Sequence, residues 1–205
     1  MLDTFLSAKL KHVAVNTISG DASETLVTRD AYADAVAEIT TWEGYTETPL
    51  YELGELSKSL NLGGIYYKDE GPRFGLGSFK ALGGSYAGLR VIQRALTHSL
   101  KRNVSTKEIR TGVYAKEVAN ITLVSATDGN HGLSLAWGAK RFGSPCRIYI
   151  HSEVSAGRAQ AMRDIGADVV RVDGDYDASV ESARRDAEEN GWFVVSDTSW
   201  EGYTQ

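Results

Sequence analysis

The stretch Ile121–Ser196 reads ITLVSATDGNHGLSLAWGAKRFGSPCRIYIHSEVSAGRAQAMRDIGADVVRVDGDYDASVESARRDAEENGWFVVS, and its pattern decides the fold. Short apolar runs alternate with amphipathic helical patterns, the signature of a parallel sheet wrapped by helices. The runs Ile121–Ala126, Arg147–His151, Asp168–Val172 and Trp192–Ser196 are rich in β-branched or aromatic residues and are expected to be strands. Between them, a helix from about Ala156 to Ile165 sets Ala159, Met162 and Ile165 on one face and meets Gly166, suited to the left-handed turn that ends helices. The next, from about Tyr176, aligns Tyr176, Val180, Ala183 and Ala187 and stops at Asn190-Gly191. Its charged run Arg184, Arg185, Asp186, Glu188 and Glu189 reads as the solvated face.

Outward toward the N-terminus the organisation is looser. A strand is possible at Gly64–Lys68, and a helix is expected from about Ala81 to Leu100, with Leu82, Tyr86, Leu89, Ile92 or Gln93, and Leu96 in step. In the polar stretch Thr97–Asn120, Ser105-Thr106-Lys107-Glu108 fits a capping box that opens a short helix on a surface insertion. The pentapeptide Trp-Glu-Gly-Tyr-Thr occurs at Trp42–Thr46 and Trp200–Thr204, but the flanks differ and no solenoid follows. The second copy is followed only by Gln205, and Tyr203-Thr204-Gln205 shows no turn or cap, so the chain is expected to be cut there. The segment before Thr41 is assigned no function.

With 205 residues, 42% hydrophobic and 24% charged, 21 Gly and only 3 Pro, the chain is neither disordered nor collagen-like. It is expected to be a soluble α/β protein of one domain, or one small domain plus part of another. A formal charge of -5 without a basic stripe argues against a nucleic-acid partner. The single cysteine, Cys146, excludes an intrachain disulfide and any multi-cysteine metal site, and suits a reducing cytosolic compartment. It reads as a small apolar strand residue rather than a nucleophile. Asp3, Lys9, Lys11 and His12 break the N-terminus up, so no signal peptide is expected. No apolar run approaches the roughly 20 residues of a membrane-spanning helix, and no membrane partner is expected.

Three clusters could carry chemistry. In Lys68–Gly84, Gly71, Gly75 and Gly77 make a flexible loop that delivers Ser78-Phe79-Lys80 to the start of a helix. Most lysines are simply solvated, but an amine desolvated beside an aromatic is primed to attack a carbonyl and form a Schiff base. The second cluster, Thr127-Asp128-Gly129-Asn130-His131-Gly132, lies between a strand and a helix. There, glycine-freed N–H groups at a helix start would take a carboxylate or phosphate. A helix cap by Asp128 or Asn130 and a structural His131 are the alternatives on local grounds. The third, Ser196–Tyr203, follows a strand, so Asp128 and Asp197 could face one crevice at the carboxyl ends of the sheet. Neither a Walker loop nor a G-x-G-x-x-G fingerprint is present.

In this order the clusters resemble the pyridoxal-phosphate enzymes of fold type II, the tryptophan-synthase-β-like group. Thr48-Pro49-Leu50 resembles that group's opening motif, Lys68-Asp69-Glu70 with Gly77-Ser78-Phe79-Lys80 its lysine loop, and Gly129-Asn130-His131-Gly132 its asparagine loop. The resemblance implies a three-layer αβα fold with a parallel sheet, here truncated. Residues 1–83 would open the large domain, 84–199 form the small α/β domain, and 200–205 begin the return. Asp128 departs from the small neutral residue of threonine and serine dehydratases. With Arg73-Phe74-Gly75-Leu76, Lys80–Tyr86 and Asp197–Tyr203, it resembles the diaminopropionate ammonia-lyase family, from about Thr41 to Gln205.

That resemblance implies the following roles. Lys80 would hold the cofactor, pyridoxal 5'-phosphate, as a Schiff base and then carry a proton. Asn130 would hydrogen-bond the ring hydroxyl, and Thr127, Asp128, Gly129 and His131 would bind the amino-acid substrate. Asp128 and Asp197 would be acid–base residues, and the family's use of D and L substrates would follow if different groups take the proton from opposite faces. The reaction would be α,β-elimination of 2,3-diaminopropionate to pyruvate and ammonia, in a cytoplasmic homodimer. The family's phosphate-binding glycine loop and pyridine-nitrogen partner come from a second half not in this chain. The alternatives are a threonine or serine dehydratase-like enzyme, against which Asp128 speaks, and a non-catalytic α/β fragment that binds an anion or a partner.

Overall fold

The computed structural model describes residues 28–198 and Tyr203. The N-terminal stretch read for a signal peptide lies outside the described residues, as does the second pentapeptide apart from Tyr203. In chain order the elements are α1 (Arg29–Ile39), β1 (Leu50–Glu52), α2 (Gly54–Ser59), β2 (Tyr66–Lys68), α3 (Ala81–Leu100), α4 (Thr106–Arg110), α5 (Ala115–Val118), β3 (Leu123–Ala126), α6 (Asn130–Phe142), β4 (Cys146–Ile150), α7 (Ala156–Ile165), β5 (Asp168–Arg171), α8 (Tyr176–Asn190) and β6 (Phe193–Val194). Among the described residues no helix is long and apolar enough to cross a membrane.

The apolar runs of 121–196 form one parallel sheet in the order β5-β4-β3-β6. Side chains alternate across a strand, so a sheet buried on both faces needs apolar residues at both parities. Leu123, Ile148, Ile150 and Val169 pack with Leu89, Leu135 and Met162 from α3, α6 and α7. Val124, Ala126 and Tyr149 turn the other way, onto Ala183 and Ala187 of α8. The result is the expected three layers.

Helix ends follow the local chemistry. Ser155 and Asp175 cap α7 and α8 by accepting from the N–H of Arg158 and of Ala178, and Gly166 and Gly191 end them at φ 108° and 68°. The Ser105–Glu108 capping box is present on α4. The insertion it opens is more than decoration, because Val104, Ile109, Tyr114 and Val118 are all buried in the core.

The strand ends differ from expectation. β6 keeps only Phe193 and Val194 of Trp192–Ser196, because it lies at the sheet edge and pairs with β3 alone. The strand at Gly64–Lys68 begins at Tyr66 and forms an antiparallel hairpin with β1, an element the local pattern did not announce. Leu50, Tyr51, Tyr66 and Tyr67 of this hairpin are exposed.

The chain steps from β3 outward to β4 and β5, then returns to place β6 on the other side of β3. Loops leaving adjacent strands in opposite directions open a crevice at such a switch point. The loops after β3 and β6 are those that carry Asp128 and Asp197.

Candidate active site

Lys80 is the residue before the first turn of α3, at φ −69° and ψ −11°, with its N–H donated to Ser78 Oγ at 3.1 Å. The loop before it is pinned to the start of β1. Glu70 accepts from Arg73 Nε at 2.9 Å and Nη2 at 3.0 Å, the Thr48 hydroxyl donates to Glu70, and Lys68 Nζ donates to the Thr48 carbonyl at 2.6 Å. The Arg73 hydrogen bonds outweigh the cost of burial. With help from Thr48 and the charges of Arg73 and Lys68, they hold the Glu70 carboxyl at about 2, down from 4.5. Thus the Thr48-Pro49-Leu50 and Lys68-Asp69-Glu70 motifs form one hydrogen-bonded unit. Phe74 holds φ +50°, unusual for a residue with a side chain, while its ring stacks on Trp137 of α6 at 4.6 Å.

The asparagine loop is built around Thr127. Its Oγ1 accepts from the N–H of Gly129 at 3.1 Å and of Gly132 at 3.4 Å, and a Cβ at position 132 would collide with its methyl carbon. Gly129 holds φ 151°, ψ −71°, which glycine adopts without strain, and Asn130 begins α6. The first N–H groups of that helix have no partners within it and carry its positive end.

Crossing of α3 over α6 fixes Lys80 relative to this loop. A Cβ at Gly138 would lie 2.8 Å from Ser85 Cα, and one at Gly84 2.7 Å from Ser134 Oγ. In the space so freed, Ser134 Oγ donates to the Ala81 carbonyl at 2.9 Å and accepts from Ser85 N–H at 3.0 Å.

Asp197 closes the site from β6. Its Oδ2 lies 2.5 Å from Lys80 Nζ, the two side chains being 26% and 38% exposed. Burial works against its charge, but the Lys80 hydrogen bond and the charges of His131 and Lys80 prevail and hold the carboxyl below its usual value. Lys80, Thr127, Asp128, Gly129, Asn130 and Asp197 line one cavity of about 440 Å³. The His131 ring is buried away from it, with Nε2 donating to the Val195 carbonyl at 2.9 Å, so its side chain ties α6 to β6.

Arg158, Tyr176 and Thr198 also line the cavity; sequence reasoning gave Arg158 no role, put Tyr176 on the apolar face of its helix, and included Thr198 only within the Ser196–Tyr203 cluster. Each follows the carboxyl end of a strand, and that position was the available signal. Cys146 is buried, and burial pushes its thiol up to about 12, consistent with a structural residue. A larger cleft of about 640 Å³ between α3, α5 and β6 is mostly apolar and holds none of the expected residues.

An amine paired with a carboxylate, an amide and a helix N-terminus around one cavity can bind a small anionic amine substrate and move its protons. Residues 41–205 match the family of pyridoxal-phosphate dependent enzymes. Over 161 residues the chain is 38% identical to a diaminopropionate ammonia-lyase of Salmonella typhimurium, covering 78% of this chain and 40% of that protein. It is similar to the crystal structure of Escherichia coli diaminopropionate ammonia lyase in apo form, with TM-score 0.75 and 32% identity over 86% of this chain and 47% of that one. The same enzyme in complex with an aminoacrylate-PLP azomethine reaction intermediate is similar at TM-score 0.73 and 32% identity, over 86% of this chain and 43% of that one. The chain spans about 40% of the length of the curated relatives it matches.

Proposed function

The chain belongs to the family of pyridoxal-phosphate-dependent enzymes, and we propose that it carries the lysine side of a site for α,β-elimination of 2,3-diaminopropionate to pyruvate and ammonia. The observation that carries this reading is the meeting of Lys80, its Asp197 partner at 2.5 Å and the Thr127–Asn130 loop around one cavity.

The donor set fits the cofactor. Lys80 offers the amine that would hold it, Asn130 an amide for its ring hydroxyl, and the glycine-shaped start of α6 unpaired N–H groups for an anionic substrate. When bound, pyridoxal phosphate supplies an electron sink for the carbon that loses its proton. The remaining steps fall to residues of this chain. An ammonium cannot attack a carbonyl, so Lys80 acts as the free amine; the Asp197 carboxylate beside it orients the nitrogen and would relay its proton to water rather than keep it. Lys80 Nζ, at the cavity wall, would carry a proton at the substrate Cα. The first turn of α6 takes the substrate carboxylate. Asp128 faces the β-substituent, where a carboxylate favours an ammonium over a hydroxyl. The β-amino group leaves as ammonia, and water hydrolyses the released aminoacrylate to pyruvate and a second ammonia.

The same reading places residues 1–83 in a large domain and 84–199 in a small one, and includes a homodimer in the cytoplasm. It is tested by incubating the chain with pyridoxal phosphate, reducing with borohydride and mapping the modified lysine by mass spectrometry. Ammonia assays with 2,3-diaminopropionate and with threonine then follow. Label at Lys80 alone is expected from this chain, and whatever ammonia is released is expected from 2,3-diaminopropionate and not from threonine. Labels scattered over many lysines, or a preference for threonine, would overturn the reading.

A further inference from the structure

We infer that His151 is a positioning residue that holds the Asp128 carboxylate at the cavity, an inference that rests on the reading of Asp128 as the group facing the substrate side chain. The two residues follow neighbouring strands, Asp128 after β3 and His151 after β4. His151 Nε2 lies 3.1 Å from Asp128 Oδ1, and His151 Nδ1 accepts from the Glu153 N–H at 3.3 Å. A ring whose Nδ1 accepts carries its proton on Nε2, so the neutral imidazole donates to the carboxylate.

The support behind His151 is built rather than incidental. Its segment is gripped by the Arg171 guanidinium, which donates to the carbonyls of His151 at 3.1 Å, Ser152 at 2.6 Å and Val154 at 2.8 Å. Ser152 adds bonds from its N–H at 3.1 Å and its hydroxyl at 2.8 Å to the Gly174 carbonyl. The His151 side chain is 16% exposed and that of Asp128 66% exposed, so a sheltered donor anchors a carboxylate open to the cavity. On the backbone side, Arg158 Nη1 donates to the Asp128 carbonyl at 3.4 Å. A carboxylate free to rotate would spend its time solvated. One held by His151 presents its second oxygen in one direction, as recognition of a substrate ammonium requires.

The test compares the wild-type chain with His151→Gln, which keeps an N–H donor, and His151→Phe, which does not. Each is made with and without Asp128→Asn. One readout is the χ1 rotamer of residue 128 from NMR three-bond couplings; the other is the NMR-titrated affinity for 2,3-diaminopropionate and for L-serine. A single rotamer in wild type and H151Q, averaging in H151F, and about tenfold loss of the preference for 2,3-diaminopropionate in H151F alone are expected. H151F should add nothing in the D128N background. An unchanged rotamer in a folded H151F, or additive losses with D128N, would overturn the inference. Failure of the underlying reading looks different: wild type would then bind L-serine as tightly as 2,3-diaminopropionate, while the rotamer result still supports the hold of His151 on Asp128.

Discussion

Replacing Glu70 by glutamine should make the chain less stable at neutral pH and remove the part of its acid sensitivity that Glu70 contributes. The Glu70 side chain is 19% exposed and that of its partner Arg73 6% exposed, so the pair is screened little by solvent. With a folded carboxyl near 2 against an ordinary 4.5, native Glu70 binds its proton less readily than the unfolded chain does. Its contribution is therefore complete above the unfolded value and is lost as pH falls through the folded one. The gap corresponds to about 3 kcal/mol at pH 7, falling to about 1.4 kcal/mol at pH 3 and toward zero below pH 2. Urea denaturation of wild type and E70Q from pH 7 to pH 3 measures it directly. The two stability curves should converge with acid, since the amide of the variant has no proton to gain. A difference that stays constant across this range, or one below about 1 kcal/mol at pH 7, would refute the assignment of the shift to the Arg73 pair.

Asp197→Asn removes the carboxylate 2.5 Å from Lys80 Nζ that favours the ammonium over the free amine, so the visible absorption band should grow faster, by about tenfold, when pyridoxal phosphate is added at neutral pH; stopped-flow spectroscopy measures this rate, and slower growth would assign the carboxylate the part of a base. Gly138→Ala puts a methyl 2.8 Å from Ser85 Cα and should cost about 1–3 kcal/mol in denaturant unfolding. Gly83→Ala, on the same α3 but with nothing within 4 Å, should be neutral or gain up to about 1 kcal/mol, and equal effects of the two would discount the close crossing. Cys146, buried with its thiol pushed up to about 12, should resist a thiol reagent at pH 8 in the folded chain and react at once in urea; rapid native labelling would place it elsewhere.

Much of the frame was legible because it is written locally. The bounds of α3 and α7 follow from apolar spacing and, for α7, from Ser155 before it and Gly166 after it. What escaped depends on partners distant in sequence. β1 has three exposed residues and exists because Leu50 to Glu52 pair with β2. Arg158 reads as an ordinary helix residue and Tyr176 as part of an apolar helix face until the strand order is known, since only the order β5-β4-β3-β6 puts their loops beside Asp128. His131 is the converse case. The family resemblance implied substrate contact for it while the local reading also offered a structural role, and Val195, 64 residues away, takes its ring. Local sequence could name the loop but not the direction of the side chain.

The approach of Lys80 to Asp197 depends on the α3–α6 crossing as much as on either loop. Lys80 leads into α3, whose first turn is hydrogen-bonded to Ser134 of α6 through the Ala81 carbonyl. Further along, the Phe74–Trp137 stack fastens the lysine loop to the same helix, and the His131 ring fastens the start of α6 to Val195, two residues before Asp197. Both members of the pair are therefore referenced to one rigid body, α6, although they are 117 residues apart in the chain. A shift of α6 against the sheet would carry Lys80 and the asparagine loop together and be resisted at Val195. A widening of the α3 crossing would move Lys80 alone. The small residues Gly84, Ser85, Ser134 and Gly138 thus set the reach of the amine, a geometric task that larger apolar side chains of equal hydrophobic value could not perform.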